Sequence, residues 1–158
     1  MTIQFTSIGI IHTPHKVKEG MPIQSINAEG VRGTVKLKKQ FVEGLLDLDG
    51  FSHIYLIYHF HKSTDYKLQV KPYLDDELHG VFSTRAPRRP NSIGISVVRL
   101  LGIKDNILEI ENVDILDGTP LLDIKPYISG FDNHNTDKDG WIETKLGKHP
   151  NPKSDDRF

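Results

Sequence analysis

Short runs in which apolar and polar residues alternate make up most of this chain, and such alternation is typical of strands that bury one face. The alternation predicts strands at residues 5–12, 30–37, 51–61, 66–70, 93–103, 107–116 and 121–128. Lys104, Asp105 and Asn106 separate two of these runs, and aspartate and asparagine favour tight turns. The runs 93–103 and 107–116 are therefore predicted to form a hairpin.

Helical periodicity is found at one place, which consists of Phe41, Val42, Leu45, Leu46 and Leu48. Gly50 bounds this stretch, and the spacing predicts one short amphipathic helix. Strands joined by turns with almost no crossover helices favour a mainly β fold, either a barrel or a sandwich. From Gly130 onward the sequence turns polar and loses periodicity, so we expect a β domain at 1–129 and a polar C-terminal arm or tail at 130–158.

The composition is that of one folded domain. The chain has 158 residues, of which 37% are hydrophobic and 26% charged, enough to bury a sizeable core. It contains no cysteine, so disulfides, thiolate metal ligands and cysteine nucleophiles are excluded. No apolar run is long enough to cross a bilayer, and the N-terminal apolar stretch 8–11 is too short for a signal-peptide core. We therefore expect a cytoplasmic protein without a membrane partner.

The distribution of charge is more informative than its sum. A formal net charge of −1 argues against a protein that coats nucleic acid without specificity, so any RNA partner must meet a local basic patch. Three arginines crowd into the loop STRAPRRPNS at residues 83–92; they are Arg85, Arg88 and Arg89.

Two prolines stiffen this arginine loop. Pro87 and Pro90 each fix φ and remove a backbone donor, so the loop is neither helix interior nor central strand. Guanidinium groups on a rigid loop suit a carboxylate or a phosphate, because rigidity lowers the entropy lost on binding. The alternative is a solvated basic turn whose arginines pair with surface acids. The prolines favour an anion-binding loop.

Histidines line one face of the predicted strand 51–61. The alternation places His53, His59 and His61 together, whereas the opposite face is composed of Ile54, Leu56, Tyr58 and Phe60. Zinc could bind such histidines, but no carboxylate lies at ligand spacing, so we expect no metal. His61 and Lys62 instead mark the edge of a site, because ligands gather where strands give way to loops.

Two further patterns bear on function. Asp114 and Asp117 flank a predicted turn, and Asp123, Lys125 and Tyr127 alternate on the strand that follows. Such a face could serve acid–base chemistry, or it could be the salt-bridged outer face of a hairpin. The chain has neither a G-x-G-x-x-G motif nor a phosphate-binding GxxxxGK[ST] loop, which disfavours a Rossmann-type fold.

The stretch 135–146 has most of the spacing of a calcium-binding loop. Leu146 stands where that loop requires a bidentate glutamate, and no helices flank it. No calcium site is therefore predicted.

Four segments together resemble the TsaA-like family of methyltransferases: IGIIHTPHK, GFSHIYLIYHFHK, GVFSTRAPRRPNSIGISVVRL and LDGTPLLDIKPYI. The match runs in order over about residues 5–129. The resemblance implies a single small β-barrel, unlike the Rossmann methyltransferases, that works as a homodimer with S-adenosylmethionine. It also implies methylation of N6 of threonylcarbamoyl-adenosine at position 37, next to the anticodon of tRNA.

The resemblance also implies site residues on this chain. Those that would bind the methyl donor are Ile23, Gln24, Ser25, His61, Lys62, Arg85, Ile95, Asp114, Asp117 and Gly118. Those that would contact tRNA are Arg88, Arg89, Asn91 and Lys125. For the base that removes the N6 proton we hypothesise Asp117 or Tyr127, and no metal is implied.

Two departures from the family pattern leave alternatives open. Ser92 stands where the family often has a second proline, and the extra C-terminal domain of better-known bacterial members has no counterpart in the stretch 130–158. A methyltransferase with a small-molecule substrate is one alternative. A non-catalytic RNA-binding β-barrel, whose arginine loop only grips phosphates, is the other.

Overall fold

The computed structural model describes residues 1–146 and 152–158. Within those residues the chain forms eight strands and one short α-helix, together with several 3-10 turns. The strands are β1 (Gly9–His12), β2 (Arg32–Leu37), β3 (His53–His59), β4 (Gln69–Val70), β5 (His79–Gly80), β6 (Ile93–Lys104), β7 (Ile107–Glu111) and β8 (Thr119–Pro126). The helix, α1, is Ser129–Asp132.

Six strands close into a barrel in the order β1-β2-β7-β6-β3-β8, and every neighbouring pair is antiparallel. Pairing of β1 with β8 completes the ring, so the backbone groups of these strands have partners on both sides. Strands β4 and β5 form a separate two-stranded ribbon. The predicted mainly β fold with a single small barrel is confirmed.

The alternating pattern decides which face of each strand is buried. On β3, Ile54, Leu56 and Tyr58 point into the barrel, while His53 and Ile57 lie on the outer face. Since successive side chains on a strand point to opposite sides, this is the expected arrangement. The barrel core is built from the buried residues Ile11, Val35, Leu37, Leu48, Ile54, Leu56, Tyr58, Val98, Leu100, Leu108, Ile110, Val113, Ile115 and Leu121.

The predicted hairpin is present, but its second strand is shorter than expected. Asp105 adopts a left-handed conformation with φ 53° in the turn between β6 and β7. Strand β7 then ends at Glu111, because Asn112 has φ 66° and redirects the chain. Residues 113–118 therefore form a connection at one end of the barrel rather than the continuation of a strand.

The predicted amphipathic helix is wrong in type. The segment consists of two 3-10 turns, Lys39–Leu45 and Leu48–Gly50, which are separated at Asp47 with φ 64°. A left-handed residue interrupts the helical hydrogen-bond ladder, and Gly44 lowers helix propensity further. Among the helices of residues 1–146 and 152–158, none combines the length and apolar content needed to cross a membrane.

The region predicted to be a polar arm contacts the ribbon formed by β4 and β5. The Trp141 ring stacks on His79 with ring centroids 4.3 Å apart, and its Nε1 donates to the Ser83 carbonyl at 2.8 Å. Lys145 pairs with Asp75 at 3.1 Å and holds the pKa of that carboxyl down at about 2. The division into a domain at 1–129 and an arm at 130–158 stays a prediction.

Candidate functional site

Several polar side chains from separate segments meet at one end of the barrel. We call this group the polar cluster; it comprises Gln24, Ser25, Arg85, Ser96 and Asp114. The Arg85 guanidinium donates from Nη1 to the Gln24 Oε1 at 2.6 Å. The turn that contains Ser25 contacts β6, which carries Ser96. The cluster therefore joins a long loop, the arginine loop, a barrel strand and the connection 113–118.

Asp114 is the most unusual member of the polar cluster. Burial raises the pKa of its carboxyl to about 6, although the Ser96 hydroxyl and the Arg85 charge act in the opposite direction. Its Oδ1 atom is buried and finds no hydrogen-bond partner among residues 1–146 and 152–158. A buried carboxylate oxygen without a donor costs free energy, so this atom is suited to accept a hydrogen bond from a bound molecule.

A buried hydroxyl pair supports the cluster from inside the barrel. The Tyr58 hydroxyl lies 3.0 Å from Ser96 Oγ, and burial raises the Tyr58 pKa above its usual range, so the phenol is neutral. The Tyr58 ring packs edge-to-face on Phe60 and lies against Gly94. The sequence patterns did not mark Tyr58 and Ser96 as site residues, although a tyrosine and a serine on the core faces of neighbouring strands were a usable signal.

Arg88 pairs with a carboxylate of a neighbouring loop. Its guanidinium makes a bidentate pair with Asp65, in which Nε donates to Oδ1 at 2.7 Å and Nη2 donates to Oδ2. Arg88 also holds the pKa of the Asp65 carboxyl below its usual range. For this residue the structure agrees with the alternative of a basic turn whose arginines pair with surface acids.

Arg89 shapes the loop on which it lies. Its Nη1 donates to the carbonyls of Val81 at 3.1 Å, Thr84 at 2.7 Å and Ala86 at 3.4 Å. Its guanidinium carbon also lies 6.0 Å from the centroid of the Phe82 ring. These contacts fold the arginine loop back on itself, and of the three arginines it is Arg85 that joins the polar cluster.

We expect Arg89→Ala to destabilise the protein more than Arg88→Ala. Loss of the charged donor at Arg89 removes the hydrogen bond to the Thr84 carbonyl and should lower the free energy of unfolding by about 1.5 kcal/mol. Loss of the exposed pair at Arg88 should cost less, because solvent screens surface ion pairs. Urea denaturation of both variants checks the order, and the reverse order would contradict a structural role for Arg89.

Asp117 is engaged with its own neighbours. Its carboxylate pairs with Lys16 Nζ at 2.7 Å, accepts from the Thr13 backbone N–H at 3.0 Å and lies 3.5 Å from His12 Nδ1. The Lys16 ammonium holds the pKa of this carboxyl below its usual range. A carboxylate with a lowered pKa is a weak proton acceptor, which argues against Asp117 as the base. The adjacent Gly118 has φ 75° and forms the turn into β8.

His61 lies where the sequence predicted a site edge. Its Nδ1 is 3.3 Å from the Thr119 hydroxyl at the start of β8, and that hydroxyl donates to the Leu116 carbonyl at 2.6 Å. Burial lowers the pKa of His61, and the neighbouring charge of Lys62 adds to the effect. His61 is therefore a neutral imidazole near neutral pH, next to the connection 113–118.

Tyr127 and Lys125 lie at the opposite end of β8. The Tyr127 ring packs against Tyr55 at 5.6 Å and His53 at 6.3 Å between centroids, and Lys125 pairs with Asp123 at 2.9 Å. An eight-residue strand spans roughly 25 Å. Within one chain the structure does not bring these two residues to the polar cluster, and their roles stay predictions.

The other predicted site residues differ in exposure. Ile95 is 51% exposed on the outer face of β6, while Ile23 is half-buried. Lys62 and Asn91 are exposed. In the part of the chain that the structure describes, no group of three or more histidine, cysteine, aspartate or glutamate side chains is placed to hold a metal.

Comparison with known proteins identifies this architecture. The family model described as tRNA-methyltransferase O N-terminal domain matches residues 10–133. A probable S-adenosyl-L-methionine-binding protein of Pyrococcus abyssi is 52% identical over 158 residues, which is 100% of this chain and 86% of the relative. A tRNA (adenine(37)-N6)-methyltransferase of Mus musculus is 37% identical over 133 residues, which is 80% of this chain and 31% of the relative.

Solved structures agree with the sequence matches. The crystal structure of TrmO from Pseudomonas aeruginosa aligns with a TM-score of 0.75 and 38% identity, covering 89% of this chain and 63% of that chain. The chain thus spans most of the Pyrococcus relative but less than two thirds of the TrmO structure. The predicted resemblance is confirmed, and the chain belongs to the tRNA-methyltransferase O N-terminal domain family.

Proposed function

We propose that this chain is an S-adenosylmethionine-dependent methyltransferase that methylates N6 of threonylcarbamoyl-adenosine at position 37 of tRNA. The observation that carries the proposal is the pairing, in one cluster, of an exposed arginine with a buried carboxylate oxygen that needs a donor; these residues are Arg85 and Asp114. The names of the relatives, an S-adenosyl-L-methionine-binding protein and a tRNA (adenine(37)-N6)-methyltransferase, support the same assignment.

The residues of the cluster fit the methyl donor chemically. S-adenosylmethionine carries a carboxylate, an ammonium group and ribose hydroxyls, and when bound it supplies a methyl group on a positively charged sulfur. The Arg85 guanidinium suits the carboxylate. The Asp114 Oδ1 atom suits an ammonium or hydroxyl donor, and the half-buried Gln24 and Ser25 offer further polar groups.

Positioning is the main contribution that the chain's own residues make. The barrel strands hold Ser96 and Tyr58 in place, and hydrogen bonds from Arg89 tie the arginine loop together. Alignment of reacting groups is worth on the order of 7–11 kcal/mol in favourable cases.

The partners follow from the same proposal. Exposed apolar side chains lie on the turn next to β6, on β6 itself and on the arginine side of the cluster: Ile26 at 87%, Ile95 at 51% and Phe82 at 77% exposure. A second copy of the chain that covers them would make the protein a homodimer. The exposed Lys62 and Asn91 are candidates for contact with the tRNA anticodon loop. A tRNA-modifying enzyme would act in the cytoplasm.

Two measurements test the function and separate its alternatives. Calorimetry with S-adenosylmethionine should show binding, and incubation with unmethylated tRNA and donor should add one methyl group to threonylcarbamoyl-adenosine, as detected by mass spectrometry of nucleosides. Absence of donor binding would favour a non-catalytic RNA-binding barrel. Donor binding with an unchanged nucleoside profile would favour a small-molecule substrate.

Arg85→Ala is expected to weaken donor binding about tenfold or more, because a charge-assisted hydrogen bond to the donor is lost. Arg99→Ala is the matched control. Arg99 is an exposed arginine on β6, and it lies opposite His53, the first residue of β3. Calorimetry on both variants gives the comparison. Equal donor affinity in the two variants would remove Arg85 from the donor site.

A further inference from the structure

The seven residues 152–158, which we call the strap, contact the loop that leads into the polar cluster. The Ser154 backbone N–H donates to the Met21 carbonyl at 2.8 Å, and the Ser154 hydroxyl accepts from the Met21 N–H at 2.9 Å. Lys153 forms an isolated antiparallel bridge with Pro22. This pairing places the strap two residues away from the cluster's glutamine.

The other end of the strap packs against the β4–β5 ribbon and the arginine loop. Phe158 lies against Val70, Val81 and Ala86, which form a hydrophobic cluster separate from the barrel core. Its ring also meets Tyr73 edge-to-face, with centroids 5.2 Å apart. Val81 is fully buried there, and Ala86 directly follows the cluster's arginine in sequence.

Arg157 holds the backbone next to Phe158 in place. Its Nη1 donates to the Pro72 carbonyl at 2.6 Å and to the Asp75 carbonyl at 3.0 Å. Its Nε pairs with Asp155 of the strap at 2.9 Å. The strap is therefore bound by backbone pairing at one end and by an apolar contact with charge-assisted hydrogen bonds at the other.

These two attachment points lie on the segments that meet at the bond between Gln24 and Arg85. That bond is exposed, and an exposed polar contact contributes too little to hold two long loops together by itself. We infer that Ser154 and Phe158 are positioning residues, which hold Gln24 and Arg85 in register for the donor. The identity of the ligand in this inference rests on the proposed function, whereas the contacts of the strap do not.

A first experiment uses amide hydrogen exchange without any ligand. In Phe158→Ala and in Ser154→Ala, the amides of Ala28 and Thr84 should lose protection while those of β3 and β6 keep it. Phe131→Ala is the matched control, because this aromatic residue of α1 is 74% exposed and should leave the pattern unchanged. Unchanged protection of Ala28 and Thr84 in both strap variants would overturn the inference.

A second experiment asks whether the strap serves the site. Phe158→Ala and Ser154→Ala should raise the dissociation constant for S-adenosylmethionine about tenfold, because preorganisation of the two loops is lost. Phe158→Leu, which keeps an apolar anchor, should restore most of the affinity. If the unaltered protein fails to bind the donor, the proposed function is refuted. The exchange experiment then tests by itself whether the strap holds the two loops in place. Normal donor affinity in Phe158→Ala would show that the strap has only a structural role, and the inference that it positions Gln24 and Arg85 would be overturned.

Discussion

Asp114→Asn is expected to make the protein more stable at pH 7 and at the same time to weaken donor binding. Burial raises the pKa of this carboxyl from 3.8 to about 6, so keeping it ionised in the folded state costs on the order of 3 kcal/mol. Asparagine has nearly the same shape and carries no charge. The variant should recover most of that free energy of unfolding.

The pH dependence has a defined sign. A carboxyl whose pKa is raised on folding contributes stability below the unfolded value of 3.8, and this contribution is lost as pH rises to about 6. The stability advantage of Asp114→Asn should therefore be small near pH 4, grow between pH 4 and 6 and level off above. Urea denaturation at a series of pH values measures it.

Asp123→Asn is the control for this series, because Asp123 has a half-exposed side chain paired with Lys125 on the outer face of β8. Its effect should stay below about 1 kcal/mol. If Asp114→Asn were no more stable than the parent protein at pH 7, the cost assigned to the buried charge would be wrong.

Donor binding should respond to Asp114→Asn in the opposite direction. A hydrogen bond to a charged oxygen is stronger than one to an amide, so the donor dissociation constant should rise about ten- to hundredfold above pH 6. In the parent protein the affinity should fall as pH drops through about 6, because Asp114 becomes protonated. The asparagine variant should lack that dependence, and calorimetry between pH 5 and 8 would reveal it.

Gly94→Ala should destabilise the barrel by about 3 kcal/mol, since overpacking a close-packed core forces neighbours to move. A Cβ at Gly94 would lie 2.3 Å from Cε2 of the Tyr58 ring and 2.9 Å from Cζ of Phe60. Tyr58 cannot move freely because its hydroxyl is bonded to Ser96 inside the barrel. The variant should also weaken donor binding, because the same ring supports the polar cluster.

Gly102→Ala provides a matched control on the same strand. Nothing lies within 4 Å of the Cβ that alanine would add at Gly102, so stability should be unchanged or slightly higher. Thermal and urea denaturation of both variants would give the comparison. Similar stability of the two variants would show that the close approach of Tyr58 to Gly94 is not a packing constraint.

The strands were predictable because alternation is a local property, whereas the choice of a barrel over a sandwich came from the family resemblance. Ile54, Leu56 and Tyr58 point inward in the structure as the two-residue period required, and the turn at Asp105 formed where turn residues interrupted two apolar runs. The helix expected near Leu45 was not predictable to the same degree, since the segment forms 3-10 turns that are separated by a left-handed residue at Asp47. Local periodicity does not reveal such a conformation.

The roles of the arginines were not predictable from their loop. Arg85, Arg88 and Arg89 have the same side chain and lie within five residues, yet one joins the polar cluster, one pairs with Asp65 and one bonds backbone carbonyls. The partners come from residues far apart in the chain or from the curl of the loop itself. Charge and spacing alone carry no information about which partner is reached.

The sequence by itself determined the strand pattern, the buried faces, the stiff arginine loop and the family. Only the tertiary structure decided that Asp114, rather than Asp117, is the carboxyl with a raised pKa, because burial and neighbouring charges depend on long-range packing. The same holds for Tyr127, which β8 carries to the far end of the barrel, and for the strap anchored by Phe158. A sequence names the chemical groups, and the closure of the barrel decides which of them meet.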